Sequence, residues 1–154
     1  MAAYFFDSSA LVKHYVNELG SAWVAALLDA QPRHEIVIAQ ITGVEVVAAL
    51  ARRVRAGMVT AAAATAAINV FRHDFRARYF SLPVTPQLIE AAMNLAELHR
   101  LRGYDATQLA AVVDFQAQMT ADGVGQLTLI SADNELNQAA QAEGLLTDDP
   151  NQHP

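Results

Sequence analysis

The chain contains no cysteine. That absence removes disulfides, thiolate zinc sites, iron–sulfur clusters and a cysteine nucleophile together, so any metal must be held by oxygen or imidazole. Basic residues are scarce as well, 10 Lys and Arg against 16 Asp and Glu, for a formal charge of −6. This balance argues against a general phosphate-backbone binder, because such binding is driven largely by Lys and Arg. The objection weakens if several acids are gathered at a cation site. No uncharged run is long enough for a bilayer crossing, which needs roughly 20 apolar residues. The longest, residues 56–71, is alanine-rich and interrupted by Thr60, Thr65 and Asn69. The opening stretch has no basic flank and meets Asp7 early, unlike a secretory leader. These features lead to the expectation of a cytoplasmic protein with no membrane segment.

What is present is ample core material, 53% hydrophobic residues in 154, enough for one domain of ordinary size. Short apolar runs at Ala3–Phe6, Glu35–Ala39, Phe80–Val84 and Gln126–Ile130 read as strands, the third as an edge strand because of Pro83. Between them lie segments with helical spacing. Thr60 reads as the cap of a long helix, and Thr85-Pro86 as a cap and first-turn pair. Alternating strands and helices predict a three-layer α/β/α sandwich with a mainly parallel central sheet of four to five short strands. The expected domain is 1–147. Residues 148–154, polar and proline-containing, read as a frayed tail.

In such a sheet, ligands collect beyond the carboxyl ends of the strands. Asp7 follows the first strand and Asp133 the strand ending at Ile130, so both belong to that edge. Each can also be a simple helix cap, and Asp105-Ala106-Thr107-Gln108 has capping-box spacing. Glu45 lies among apolar neighbours with Arg52 as the nearest positive charge in sequence, so it either points to solvent or meets something cationic. Clustered carboxylates suit phosphodiester chemistry, since Mg2+ and Mn2+ prefer oxygen ligands and can activate water beside a phosphate. The five histidines are scattered without zinc spacing. There is no Gly-x-Ser-x-Gly elbow, P-loop or dinucleotide fingerprint. Runs at Arg52, Arg53, Arg55 and at Arg72, His73, Arg76, Arg78 read first as solvated helix faces, with RNA contact as the sharper reading. Lys13, a turn and a half beyond Asp7, is expected within reach of a substrate phosphate.

Four segments together resemble the PIN-domain nucleases, and among them the VapC-like toxins of prokaryotic toxin–antitoxin pairs. They are Tyr4-Phe5-Phe6-Asp7-Ser8-Ser9, Val44-Glu45-Val46, Arg102-Gly103-Tyr104-Asp105-Ala106 and Ile130-Ser131-Ala132-Asp133-Asn134-Glu135. The resemblance spans nearly the whole chain. It implies a PIN-like fold and a cytoplasmic, Mg2+-dependent (alternatively Mn2+-dependent) endoribonuclease with RNA as its substrate. In it Asp7, Glu45, Asp105 and Asp133 would hold metal and activate water, and Ser9 and Ser131 would support them. Lys13, Arg52 and Arg76 would touch substrate. The resemblance also implies a cognate antitoxin partner and a homodimer. Glu135, two residues past Asp133 on a helix, points elsewhere and is left out. The competing readings are a PIN-fold nucleic-acid- or protein-binding module without significant catalysis, and a phosphoacceptor receiver domain, against which stands the lack of an adjacent acidic pair and a late lysine.

Overall fold

A computed structural model describes residues 2–154; Met1, with which the expected domain range begins, lies outside the described residues. Five short strands form one parallel sheet in the order β3-β2-β1-β4-β5. They are β1 (Ala3–Phe6), β2 (Glu35–Ala39), β3 (Phe80–Leu82), β4 (Thr128–Ile130) and β5 (Leu146–Asp148). The central strand β1 pairs on one side with β2, Tyr4 opposite Ile36, and on the other with β4, Phe5 opposite Leu129. The chain therefore builds outward from β1 in one direction through β2 and β3, then returns to its other side with β4 and β5. The order reverses between β1 and β4, and a crevice opens beyond the carboxyl ends of those two strands.

Both sheet faces are covered, which is why the strands read as continuous apolar runs rather than as alternating ones. Phe5, Val37 and Leu129 point into one core, packed with Leu88, Leu109, Val112 and Leu136. That face is covered by α5 (Pro86–His99), α6 (Gly103–Ala121) and α7 (Asn134–Ala142). Phe6, Ile36, Ile38 and Ile130, one residue out of phase, point into the other core with Leu11, Val24, Leu50 and Phe71. There the cover is α1 (Ser8–Leu11), α2 (Ser21–Leu28), α3 (Thr42–Arg55) and α4 (Ala61–Ala77). Side chains as large as Phe5, Phe6 and Leu129 are fully buried, and each such burial stabilises the fold by about 1.5–3 kcal/mol. The expected caps are in place: Thr60 accepts from the Ala63 amide and Thr85 from the Leu88 amide.

The carboxyl terminus departs from expectation. The frayed tail foreseen for 148–154 is instead the end of a strand followed by a 3-10 turn, Pro150–Gln152. Leu146, Thr147 and Asp148 pair with Thr128, Leu129 and Ile130 as the second sheet edge. His153 stacks flat on Trp23 at 4.1 Å between centroids and bonds the Asp148 carboxylate at 2.7 Å. Polar composition concealed this, because an edge strand needs backbone pairing more than apolar side chains.

Pro150 is buried against Gly20, which adopts φ +83 at the start of α2. A Cβ on Gly20 would overlap the Pro150 carbonyl. Gly20→Ala should therefore lower stability by about 2 to 3 kcal/mol, from left-handed strain plus displacement of the terminal turn. Gly57→Ala, with a similar φ of +71 but open space around it, should cost about 1 kcal/mol. Urea denaturation of both variants checks this; equal losses would show that the contact with Pro150 contributes nothing.

Candidate active site

The crevice beyond β1 and β4 collects the four acids. Asp7 caps α1, its Oδ1 accepting from the Ala10 amide at 3.1 Å. It is only 3% exposed, and its carboxylate is held from two further sides. The Ser9 hydroxyl stands 2.8 and 2.9 Å from its two oxygens, and the Ser131 hydroxyl donates to Oδ2 at 3.1 Å. The same serines tie Asp7 to the β4 side, since Ser9 Oγ accepts from the Ala132 amide and Ser131 Oγ from the Asp133 amide. Both expected supporting serines thus stand beside the first acid.

Asp133 caps α7 through Oδ1, which accepts from the Glu135 and Leu136 amides at 2.9 and 3.0 Å. Asp105 is not the cap that its capping-box spacing suggested. The helix begins two residues earlier, at Gly103, with Arg102 as a cap that makes no side-chain bond. Asp105 therefore sits inside the first turn with its carboxylate free to project. It meets the Arg102 guanidinium, whose Nε lies 3.2 Å from Asp105 Oδ2 and whose Nη2 lies 3.3 Å from Asp133 Oδ2.

Glu45, in the first turn of α3, takes neither of the two options left open for it. Its oxygens accept from neutral donors, the Ser8 hydroxyl at 2.7 Å and the Gln108 amide at 2.9 Å. Gln108 is almost completely buried, and its amide also donates to Thr42 at 2.8 Å. It stands one turn beyond Asp105 on α6, so a single helix carries one acid and positions another.

The four charges feel one another. Burial pushes the Asp7 carboxyl up to about 7, against which the Ser9, Ala10 and Ser131 hydrogen bonds work, while the charge of Glu45 adds to the rise. Asp105 is also raised, first by desolvation and then by the charge of Asp133, with Arg102 opposing. Such a set attracts a cation. Arg102 is one already, and its own ionisation is driven upward by Asp105 and Asp133.

The expected substrate contacts fare differently. Lys13 is not available to a phosphate: it is buried, with its ammonium 3.3 Å from Glu18 and 2.9 Å from the Leu19 carbonyl. Its position on a 3-10 turn, Val12–His14, aims it toward the α2 side. Arg76 lines a separate apolar groove between α3 and α4 with Val47, Phe71 and Phe75, and makes no contact with the acids. Arg52 is exposed and shares a hollow with Glu45. Sequence reading missed Ser8, Thr42, Arg102 and Gln108. The available signal was helical spacing, since Arg102 and Gln108 lie three residues on either side of Asp105.

The family model of the PIN domain matches residues 4–142. This chain is a PIN-domain protein. Among curated proteins none matches it by sequence. Similar solved structures include PAE2754 from Pyrobaculum aerophilum, at 21% identity over 99% of this chain and 92% of that one, with a TM-score of 0.62. Mycobacterium tuberculosis VapC20, described as a toxin that cleaves the sarcin–ricin loop, matches at 20% identity over 88% of this chain and 94% of its own, TM-score 0.63. VapBC2 from Rickettsia felis, bound to a DNA fragment from its promoter, matches at 12% identity over 96% and 98%, TM-score 0.58. At these identities the likeness is one of fold. No helix among the described residues is long and apolar enough to cross a membrane.

Proposed function

We propose that this PIN-domain protein is a divalent-metal-dependent endoribonuclease and the toxin of a toxin–antitoxin pair. The observation that carries the reading is the convergence of Asp7, Glu45, Asp105 and Asp133 at the point where the strand order reverses. Two of them, Asp7 and Asp105, are pushed toward the protonated form by burial and by the other acids. The donor set is all oxygen, which suits Mg2+ or Mn2+. Among the described residues no three acidic or histidine groups already form a metal cage, and Arg102 bridges two of the carboxylates. The residues fit a hard cation in chemistry and charge, with Arg102 as the group to be displaced.

Asp7, Glu45, Asp105 and Asp133 would hold the ion, which when bound orients and activates a water and stabilises charge on the phosphate. The rest follows from the chain's own side chains. Ser9, Ser131 and the Ala10 amide fix Asp7, so that it reorganises little when its proton leaves. Ser8 and Gln108 hold the Glu45 carboxylate in one orientation. Once released from Asp105 and Asp133, Arg102 is a mobile guanidinium at the edge of the site, suited to a phosphate oxygen.

RNA as substrate rests on the family resemblance and on the activity named for the mycobacterial neighbour. An antitoxin partner rests on the family resemblance and on a similar solved structure described as a toxin–antitoxin complex from Klebsiella pneumoniae, at 18% identity over 84% of this chain and 86% of that one, TM-score 0.54. A homodimer rests on the family resemblance alone. A second reading, a binding module without catalysis, is favoured by the Arg102 bridge between Asp105 and Asp133. The deciding experiment incubates purified wild-type and Asp105→Asn protein with a cellular RNA pool in Mg2+, Mn2+ or chelator and maps the ends. Discrete cuts that need both metal and Asp105 are expected; identical cutting by Asp105→Asn would overturn the nuclease assignment, and no cutting at all would favour the binding module.

A further inference from the structure

Beside Glu45 the surface hollows into a cavity of about 390 Å3, on the flank of the crevice away from β4 and β5. Its walls come from α1, the 3-10 turn that follows it, α3 and α6. Ser8 and Val12 lie at and just beyond α1, Val44, Glu45 and Arg52 on α3, and Tyr104 at the start of α6. Two of these are large apolar or aromatic side chains left in solvent, Val44 at 67% exposure and Tyr104 at 60%. Glu45 is itself part of the wall, so the hollow opens directly onto one of the four carboxylates.

The charges in the hollow are divided. Arg53 is bound on both sides, to Glu18 at 3.0 and 3.2 Å and to the Ala49 carbonyl at 3.2 Å. Arg52, its neighbour, is exposed and makes no ion pair among the described residues. An exposed ring, an aliphatic wall, a free guanidinium and a polar floor, beside the Glu45 carboxylate, together match how single strands are held. Aromatic faces stack bases, and Arg takes the backbone phosphate. The volume lies in the range of small-molecule sites.

We infer that this hollow is a nucleotide subsite, in which the base adjacent to the cleaved phosphate stacks on Tyr104 against Val44 while Arg52 holds its phosphate. The inference rests on the ribonuclease reading and adds to it the group that positions the strand. It also explains how a chain of low basic content binds RNA: stacking supplies the affinity that a positive surface would otherwise supply. Tyr104 is a positioning residue, and its loss should move KM more than kcat.

The test uses the full chain and short single-stranded RNA with 2-aminopurine placed at successive positions. In the Asp105→Asn background, binding should quench the probe at one position, and adding Tyr104→Ala should relieve the quench. In otherwise wild-type protein, Tyr104→Ala should raise KM about tenfold or more with kcat within about twofold, and Tyr104→Phe should behave as wild type. Arg52→Ala should raise KM and flatten the salt dependence of binding by about one unit of log–log slope. If the wild type cuts RNA and Tyr104→Ala changes neither KM nor the quench, the subsite is overturned while the nuclease stands. Quenching that depends on Tyr104 in a wild type that cuts nothing supports the subsite and removes the nuclease. RNA neither bound nor cut overturns both, and a Tyr104 effect confined to capture of a protein partner assigns the hollow to a peptide and overturns the inference.

Discussion

Asp7→Asn protein should lose RNA cleavage by about a thousandfold or more and, in chelator at pH 8, should be more stable than the wild type. Both effects have one cause. The Asp7 carboxyl is buried and its pKa is raised from 3.8 to about 7. Between those values the folded protein keeps a proton that the unfolded chain has released. Stability then falls as pH rises, by at most about 1.4 kcal/mol per unit for this one group. The contribution is fully present below about pH 4 and gone once pH has passed about 7. Asparagine has the same shape without the charge, and its Oδ1 can still accept from the Ala10 amide. At pH 8 it relieves a buried anion, for an expected gain of roughly 1 to 3 kcal/mol; at pH 4 the gain should vanish. Urea denaturation of both proteins at pH 4, 6 and 8 reads this directly. A variant that is less stable than wild type at pH 8, with an unaltered pH slope, would show that Asp7 is a structural cap and not a strained functional acid.

Divalent metal should reverse that strain. At pH 8, Mg2+ at about a hundredfold over its dissociation constant should stabilise the wild type by about 2.7 kcal/mol, a rise in Tm of about 5 to 10 °C for a chain of this length. At pH 5 the same metal should do much less, because protons on Asp7 and Asp105 compete for the oxygens. Chelator should abolish cleavage at either pH. The guanidinium of Arg102, bridging Asp105 and Asp133, competes for the same place, so Arg102→Ala should lower the Mg2+ concentration for half-maximal stabilisation several-fold. Calorimetric titration separates this from any effect on turnover. If Mg2+ and Mn2+ leave Tm unmoved in wild type and variant alike, the acids hold no ion, and only the Arg102 bridge of Asp105 and Asp133 and the neutral donors around Asp7 and Glu45 are left to hold them together.

How much of this was legible beforehand differs from residue to residue. The strands were readable because both faces of the sheet are buried, so Phe5 and Phe6 both had to be apolar. The caps Thr60 and Thr85 were readable because capping is a contact over three residues. The acids stood out because three of them lie where a strand ends or a helix begins. Lys13 was misplaced for the opposite reason. Its position along the chain lay near Asp7, but the direction of its side chain depends on Glu18 and the Leu19 carbonyl, and these depend on how the 3-10 turn meets α2.

Local signals, periodicity and capping, act over three or four residues; they determined most of the elements and the parallel α/β class, while the grouping of Asp7, Glu45, Asp105 and Asp133 as one site came from the resemblance of four segments to a family. Only the tertiary structure decided that β4 returns beside β1, which joins Ser131 to Asp7 across 124 positions of sequence. It also decided that Gln108 and Ser8 grip Glu45, that Arg102 spans two acids, and that the last residues form a strand and turn against Gly20. These are contacts between segments far apart in the chain, selected by how whole layers pack, and no local pattern encodes which distant partner a side chain will meet.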